Sequence, residues 1–171
     1  MAYDDLNNTH NPAAGTIPPA AWGDQIRDNF EFLIDPPAVS VYNSAVQALT
    51  AGNLTVLTAD SEFYDNDSMH STSTNTSRIT CVTDGRYMLF ATCRFAANTD
   101  TTDRLVQLYV NATDSYNLVQ VDAPDEANRD CIITATKTLV MTAGDYVEVR
   151  ARAGASIDVT LEEFTALFLT R

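Results

Sequence analysis

A chain of 171 residues is one domain with room for a short appendage, and an apolar share of 45% is enough for a packed core. Its 23 acidic against 10 basic side chains leave a formal charge of -13, which argues against nucleic acid and anionic membrane surfaces, both held chiefly by Lys and Arg. No run approaches the ~20 apolar residues of a membrane-spanning helix, and the first residues lack the basic and apolar stretches of a secretion leader.

Residues 1–17, with Asn7-Asn8-Thr9-His10-Asn11-Pro12 and Ala13-Ala14-Gly15, lack periodicity and predict an extended arm. Pro18-Pro19 opens a short helix, because Pro is tolerated in a first turn. Trp22, Ile26, Phe30 and Leu33 then recur at spacings of four, four and three, one apolar stripe. Asp24, Gln25, Arg27, Asp28 and Glu31 take the other face. Asp35-Pro36-Pro37 ends the helix, since the residue before Pro is pushed out of the α region. So short a helix is marginal alone in water, and its stripe needs a surface on its own domain or on another protein. Docking on a partner is favoured, because a large aromatic anchor on a terminal segment suits an attachment device. The chain divides into 1–37, arm and helix, and 38–171.

From Ala38 the period changes to two. Val39 and Val41 alternate with Ser40 and Tyr42, and Leu54 to Leu57 comes after the turn Ala51-Gly52-Asn53. Residues 65–77 are polar and predict a long surface loop. Ile79 to Val82 precedes Asp84-Gly85, a hairpin signal because Gly takes positive φ freely. Tyr87 to Phe95, Arg104 to Val110 (closed by Asn111-Ala112) and Tyr116 to Val121 read as strands, with the acidic loop 122–126 after them. Cys131 to Met141 is a long strand, and Ala143-Gly144-Asp145 is a tight turn. Val147, Val149 and Ala151 face one way while Tyr146, Glu148, Arg150 and Arg152 face the other. Ile157, Val159 and Leu161 alternate again. The closing run Phe164 to Leu169 is apolar on both faces, which predicts cover on both sides, at a subunit interface or the centre of a sheet. Eight or more strands with no helix after residue 35 predict a mainly β fold, a sandwich or jelly roll.

Chemistry is sparse. Cys81, Cys93 and Cys131 are odd in number, which predicts free thiols in a reducing compartment, each inside an apolar alternation as a small core hydrophobe. His10 falls in the arm and His70 in the polar loop, neither held as a poised base. Asp65-Asn66-Asp67-Ser68 resembles the opening of a calcium loop but lacks its central glycine and distal glutamate. Strand alternation predicts that Glu162 and Glu163 point to opposite faces and form no acid/base pair. No catalytic, cofactor-binding or metal-binding residue is assigned, and the expectation is a protein without enzyme activity or cofactor.

Two stretches resemble known families. Trp22 with Ile26-Arg27-Asp28-Asn29-Phe30-Glu31-Phe32-Leu33, leading into Pro36-Pro37-Ala38-Val39, resembles the N-terminal module of many tailed-bacteriophage virion proteins. The remainder resembles the C1q/TNF-like jelly roll. The matching pieces are Phe63-Tyr64-Asp65, Asp84-Gly85-Arg86-Tyr87, Val110-Asn111, Leu139 with Ala143 to Val149, and Phe164 to Leu169. Together they cover residues 20–171, and no collagen-like Gly-x-y stalk is present. The resemblance implies a homotrimer whose threefold axis is lined by apolar and aromatic side chains, with Phe164, Ala166 and Phe168 as the interface candidates. It also implies a place in the virion, assembled in the host cytoplasm. Two functions are compatible with it. One is a trimeric capsid decoration or head-fibre protein, held on the major capsid protein or tail subunits through Trp22, Ile26, Phe30 and Leu33, with Pro36-Pro37 as a stiff joint. The other is a tail-associated adhesion protein that binds a host-surface glycan or protein. The first is favoured, because the loops hold Thr, Ser, Asn and Asp without the clustered Trp and Tyr of a recognition platform.

Overall fold

A computed structural model describes residues 20–99, 102–122 and 129–170. The expected arm with His10, the helix opening at Pro18-Pro19 and the acidic stretch 123–126 lie outside the described residues. Helix α1 (Ala20–Ile34) comes first, and every later element among the described residues is a β-strand.

Two antiparallel sheets face each other. The larger contains β1 (Ala38–Tyr42), β2 (Gln47–Leu49), β4 (Ser61–Asp65), β6 (Gly85–Phe95), β9 (Cys131–Met141) and β11 (Ile157–Thr170). Its order is β4-β1-β11-β6-β9, with β2 also on β11. The smaller contains β3 (Thr55–Val56), β5 (Arg78–Thr80), β7 (Asp103–Val110), β8 (Asp114–Asp122) and β10 (Tyr146–Ala153). It runs β3-β10-β7-β8, with β5 also on β10. Successive side chains of a strand point to opposite faces, so the sequence alternation becomes one wet face and one dry face. Along β6, Tyr87, Leu89, Ala91, Cys93 and Phe95 enter the core; along β10, Val147, Val149, Ala151 and Ala153 meet them from the other sheet. β8 and β9 are the open edges on one side of the sandwich. There Lys137, the chain's single lysine, stands 4.7 Å over the Tyr116 ring, a charge that discourages edge pairing.

Several local expectations change. Asp84-Gly85 is not a hairpin: β5 and β6 belong to different sheets, and Gly85 lies outside the left-handed region that Gly52 (φ 75) and Gly144 (φ 94) occupy. Glycine is needed at 85 for space instead. The three-residue turn between β7 and β8 does use left-handed backbone, at Asn111 (φ 50) and Ala112 (φ 56). The closing run belongs to one long strand, β11, flanked by β1 and β6 at the centre of its sheet. A bulge between Leu161 and Glu163 breaks the alternation, so Glu162 and Glu163 both reach the outer face rather than opposite ones.

Candidate functional site

Helix α1 meets the sandwich through Phe32. Its ring lies edge-on to Phe168 with centroids 5.1 Å apart, and Phe168 is edge-on to Tyr87 at 5.5 Å. Asn29 and Phe32 are the buried helix residues, while Trp22 and Ile26 are half-buried. The expected stripe therefore divides. Phe30 is 59% exposed, Leu33 68% and Ile34 80%. Apolar residues crowd the last turn on every side, and the joint to β1 selects which of them faces inward. The Asn66 side chain donates to Asp35 Oδ1 (2.5 Å) and to the Pro36 carbonyl (2.9 Å), and its oxygen accepts from the Ala38 N–H at 2.6 Å. The Phe168 N–H donates to the Pro37 carbonyl at 3.1 Å. Pro36-Pro37 is thus pinned on both sides, and Phe32 is the side chain it turns toward Phe168.

A Cβ on Gly85 would lie 2.2 Å from the Phe168 ring. Gly85→Ala should push that ring toward Phe32 and lower stability by about 1–3 kcal/mol, the usual cost of overpacking. Thermal melts of Gly85→Ala and of Gly85→Ala with Phe168→Leu check this. The smaller side chain should restore part of the loss, and no rescue would show the strain lies elsewhere.

The outer face of the larger sheet is the second surface. Phe164 (2% exposed) and Ala166 (0%) point into the protomer's own core, and Phe168 is held between Phe32 and Tyr87. The three residues expected at a trimer interface therefore pack within the protomer, and the opposite, outer face of β11 is a separate surface. That face carries Met88, Phe90 and Leu167, all half-buried, with Ile132 and Val140 exposed on β9. At its centre is a polar knot. Thr165 Oγ1 donates to Ser40 Oγ at 2.7 Å, and the Glu163 carboxylate accepts from Ser40 (3.1 Å) and Thr165 (3.0 Å). Partial desolvation, with the Glu163 charge behind it, pushes the pKa of the otherwise exposed Tyr64 up. Toward the rim, Arg94 bridges Glu162 (2.5 Å) and Asp130 (3.2 Å).

The loops hold more order than their composition implies. The Asp65 carboxylate accepts backbone N–H bonds from Asp67 (3.3 Å), Met69 (3.0 Å) and His70 (2.8 Å), so the calcium-like opening is a local turn. Among the described residues no group of three or more His, Cys, Asp or Glu could hold a metal. The His70 side chain is 1% exposed, with Nδ1 2.8 Å from Glu62 Oε1 and Nε2 3.2 Å from the Thr76 carbonyl. It is a buried strut, not a side chain of a loose loop.

Burial pushes the Cys93 thiol up to about 12 and the Cys81 thiol up to about 11. Burial also raises half-buried Cys131, with Arg104 opposing. A small thiol reagent at pH 8 should modify Cys131 alone in the native protein and all three thiols in denaturant. Native labelling of Cys93 at the same rate would contradict the packing of β6.

Two carboxyls are held below their usual range by donors. Asp145 accepts from the Thr142 N–H (2.8 Å), the Asn111 amide (2.7 Å) and the Thr142 hydroxyl (2.8 Å). Asp60 accepts from the Ser44 hydroxyl (2.6 Å) and N–H (2.8 Å). A folded pKa below the unfolded one contributes stability that is present above the unfolded value of about 4 and lost as pH falls through the folded value. Melting temperature should hold from pH 7 to about 5 and fall below about 4. Asp145→Asn should lower it at neutral pH and flatten the acid fall, and parallel curves for both proteins would contradict this.

No family model and no curated protein matches the chain. Solved structures do. The globular domain of zebrafish complement 1qA protein aligns over 79% of this chain and 98% of its own, with 15% identity and a TM-score of 0.61. Murine APRIL aligns over 77% of this chain and 98% of its own, with 12% identity and a TM-score of 0.52 in its pH 5.0 structure. The pH 8.0 structure gives 13% and 0.51. At such identities the likeness concerns the fold alone: two antiparallel sheets in the C1q/TNF-like jelly roll, preceded here by one short helix.

Proposed function

We propose that this chain is a non-enzymatic structural protein of a bacteriophage particle, a homotrimeric capsid decoration or head-fibre protein attached through its N-terminal segment. The observation that carries the reading is the division of α1. Phe32 and the Asn66 clamp fix the helix to the sandwich, while Phe30, Leu33 and Ile34 stay exposed beside it. Three large apolar side chains together on a pinned helix are a surface that a soluble protein hides against a partner. The likeness of the segment Trp22 to Val39 to virion N-terminal modules supports a capsid or tail subunit as that partner. Trp22 and Ile26, half-buried, form the base of the same anchor.

Trimerisation is assigned to the outer face of the larger sheet, where Met88, Phe90 and Leu167 surround the Ser40-Glu163-Thr165 knot. Three copies present three helices, and linked sites gain avidity beyond any single one. Co-sedimentation of the purified protein with particles lacking it, then reconstruction of the decorated particle, tests the reading. Density for the jelly roll with α1 at its foot supports it. Purified particles that contain no copy of the chain would refute it.

A further inference from the structure

A polar pocket of about 240 Å³ lies where loop 68–75 meets strand β5, on the outer side of the smaller sheet. Its wall is Arg78, and the guanidinium is held on two sides. Its face lies 3.9 Å from the centroid of the Tyr146 ring, and its Nε donates to Glu148 Oε1 at 3.1 Å. Glu148 is itself buried and also accepts from Ser77 Oγ at 2.9 Å. Neither Nη of Arg78 has a hydrogen-bond partner among the described residues. What remains is the end-on edge of a planar cation, two parallel N–H donors already oriented before anything binds. That edge matches the two oxygens of a carboxylate.

The rest of the pocket is hydroxyl and amide. Ser71, Thr74 and Asn75 line it, and Ser71 Oγ accepts the Thr74 N–H at 3.2 Å and lies 3.4 Å from Ser73 Oγ, so the loop's own bonds hold this hydroxyl in place at the pocket. Ser68 (φ 55) and Asn75 (φ 52) are held in left-handed backbone at the two ends of the loop, and such strained positions gather where a loop is shaped for a ligand. Buried His70 fixes the floor through Glu62 and Thr76. We propose that this pocket binds a single sugar ring carrying a carboxylate, with Arg78 on the carboxylate and the loop hydroxyls on adjacent ring hydroxyls. Because Glu148 offsets the charge of Arg78, selection rests on shape and hydrogen bonding, so neither a bare small anion nor a neutral sugar satisfies the site. The site does not depend on where the N-terminal segment attaches.

The test is titration of the isotope-labelled full chain with D-glucuronate, D-glucose and acetate, read from backbone and Arg78 Nε–H resonances. A ring-sized ligand at ordinary ligand efficiency binds with a Kd of ~1 mM. Glucuronate should shift Ser71, Thr74, Asn75 and Arg78, while glucose and acetate bind at least ~10-fold more weakly. Arg78→Lys keeps the charge opposite Glu148 but loses the paired donors, and should weaken glucuronate ~10-fold or more. Thr74→Val changes an exposed loop residue and should weaken it a few-fold with the fold unchanged. If the lysine variant fails to fold, Thr74→Val decides. No glucuronate shifts in the wild type, equal binding of all three probes, or an unaltered Kd in Thr74→Val would each overturn the proposal.

Discussion

Leu167→Asp is expected to yield a folded monomer, whereas Phe164→Ala is expected to weaken the fold itself by about 3–5 kcal/mol. Three residues apart on β11, the two side chains point to opposite faces of the same sheet. Phe164 is closed inside the sandwich with Val39, Val41 and Ala91, and its removal leaves a cavity that the rigid sheets cannot fill. Leu167 belongs to the outer face, where a charge is harmless in water and prohibitive between two protomers. Phe168→Asp should act like the core change, because its ring is wedged between Phe32 and Tyr87. Guanidinium unfolding and light scattering at one fixed protein concentration separate the effects, since oligomer stability varies with concentration. A Leu167→Asp protein that keeps the wild-type mass would remove this face from the interface.

Replacing Phe30, Leu33 and Ile34 together by Ser should abolish attachment and leave the domain intact. Exposed side chains cost little when changed, usually within about 0.5 kcal/mol. Burying each of them on a partner is worth about 1.5–3 kcal/mol, so the triple change should weaken binding by at least ~1,000-fold before avidity is counted. Trp22→Ala with Phe30→Ala should weaken attachment too, with a small stability loss because Trp22 is half-buried. Co-sedimentation with undecorated particles measures binding, and circular dichroism checks the fold. Full binding by the triple variant would move the anchor off α1.

The fold is legible in the sequence wherever burial is one-sided. β6 and β9 alternate cleanly, and their predicted and observed ranges nearly coincide; β10 is found too, although Glu148 is buried on its outer face. β2 and β4 leave no such signal, for physical reasons. β2 has three residues, and β4 is an edge strand with Glu62, Phe63 and Tyr64 all exposed, so no period marks it. The bulge at Leu161/Glu163 cannot be read from alternation, because a bulge is one residue that breaks it. Helix α1 is legible, but not its orientation: with Phe30, Phe32, Leu33 and Ile34 close together, contacts distant in sequence, from Asn66 to Pro36 and from Phe168 to Pro37 and Phe32, go with Phe32 being the buried one. The sugar pocket is invisible in the sequence for the same reason. Loop composition shows no aromatic platform, yet pairing of β5 with β10 brings Tyr146 and Glu148 to Arg78.

Multi-angle light scattering of the full chain at micromolar concentration measures the copy number on which both the assigned interface and the three-helix attachment depend. The expected mass is three times that of the 171-residue chain, falling to one chain mass in Leu167→Asp. A wild-type protein that elutes at a single chain mass, folded and unaggregated, would contradict it.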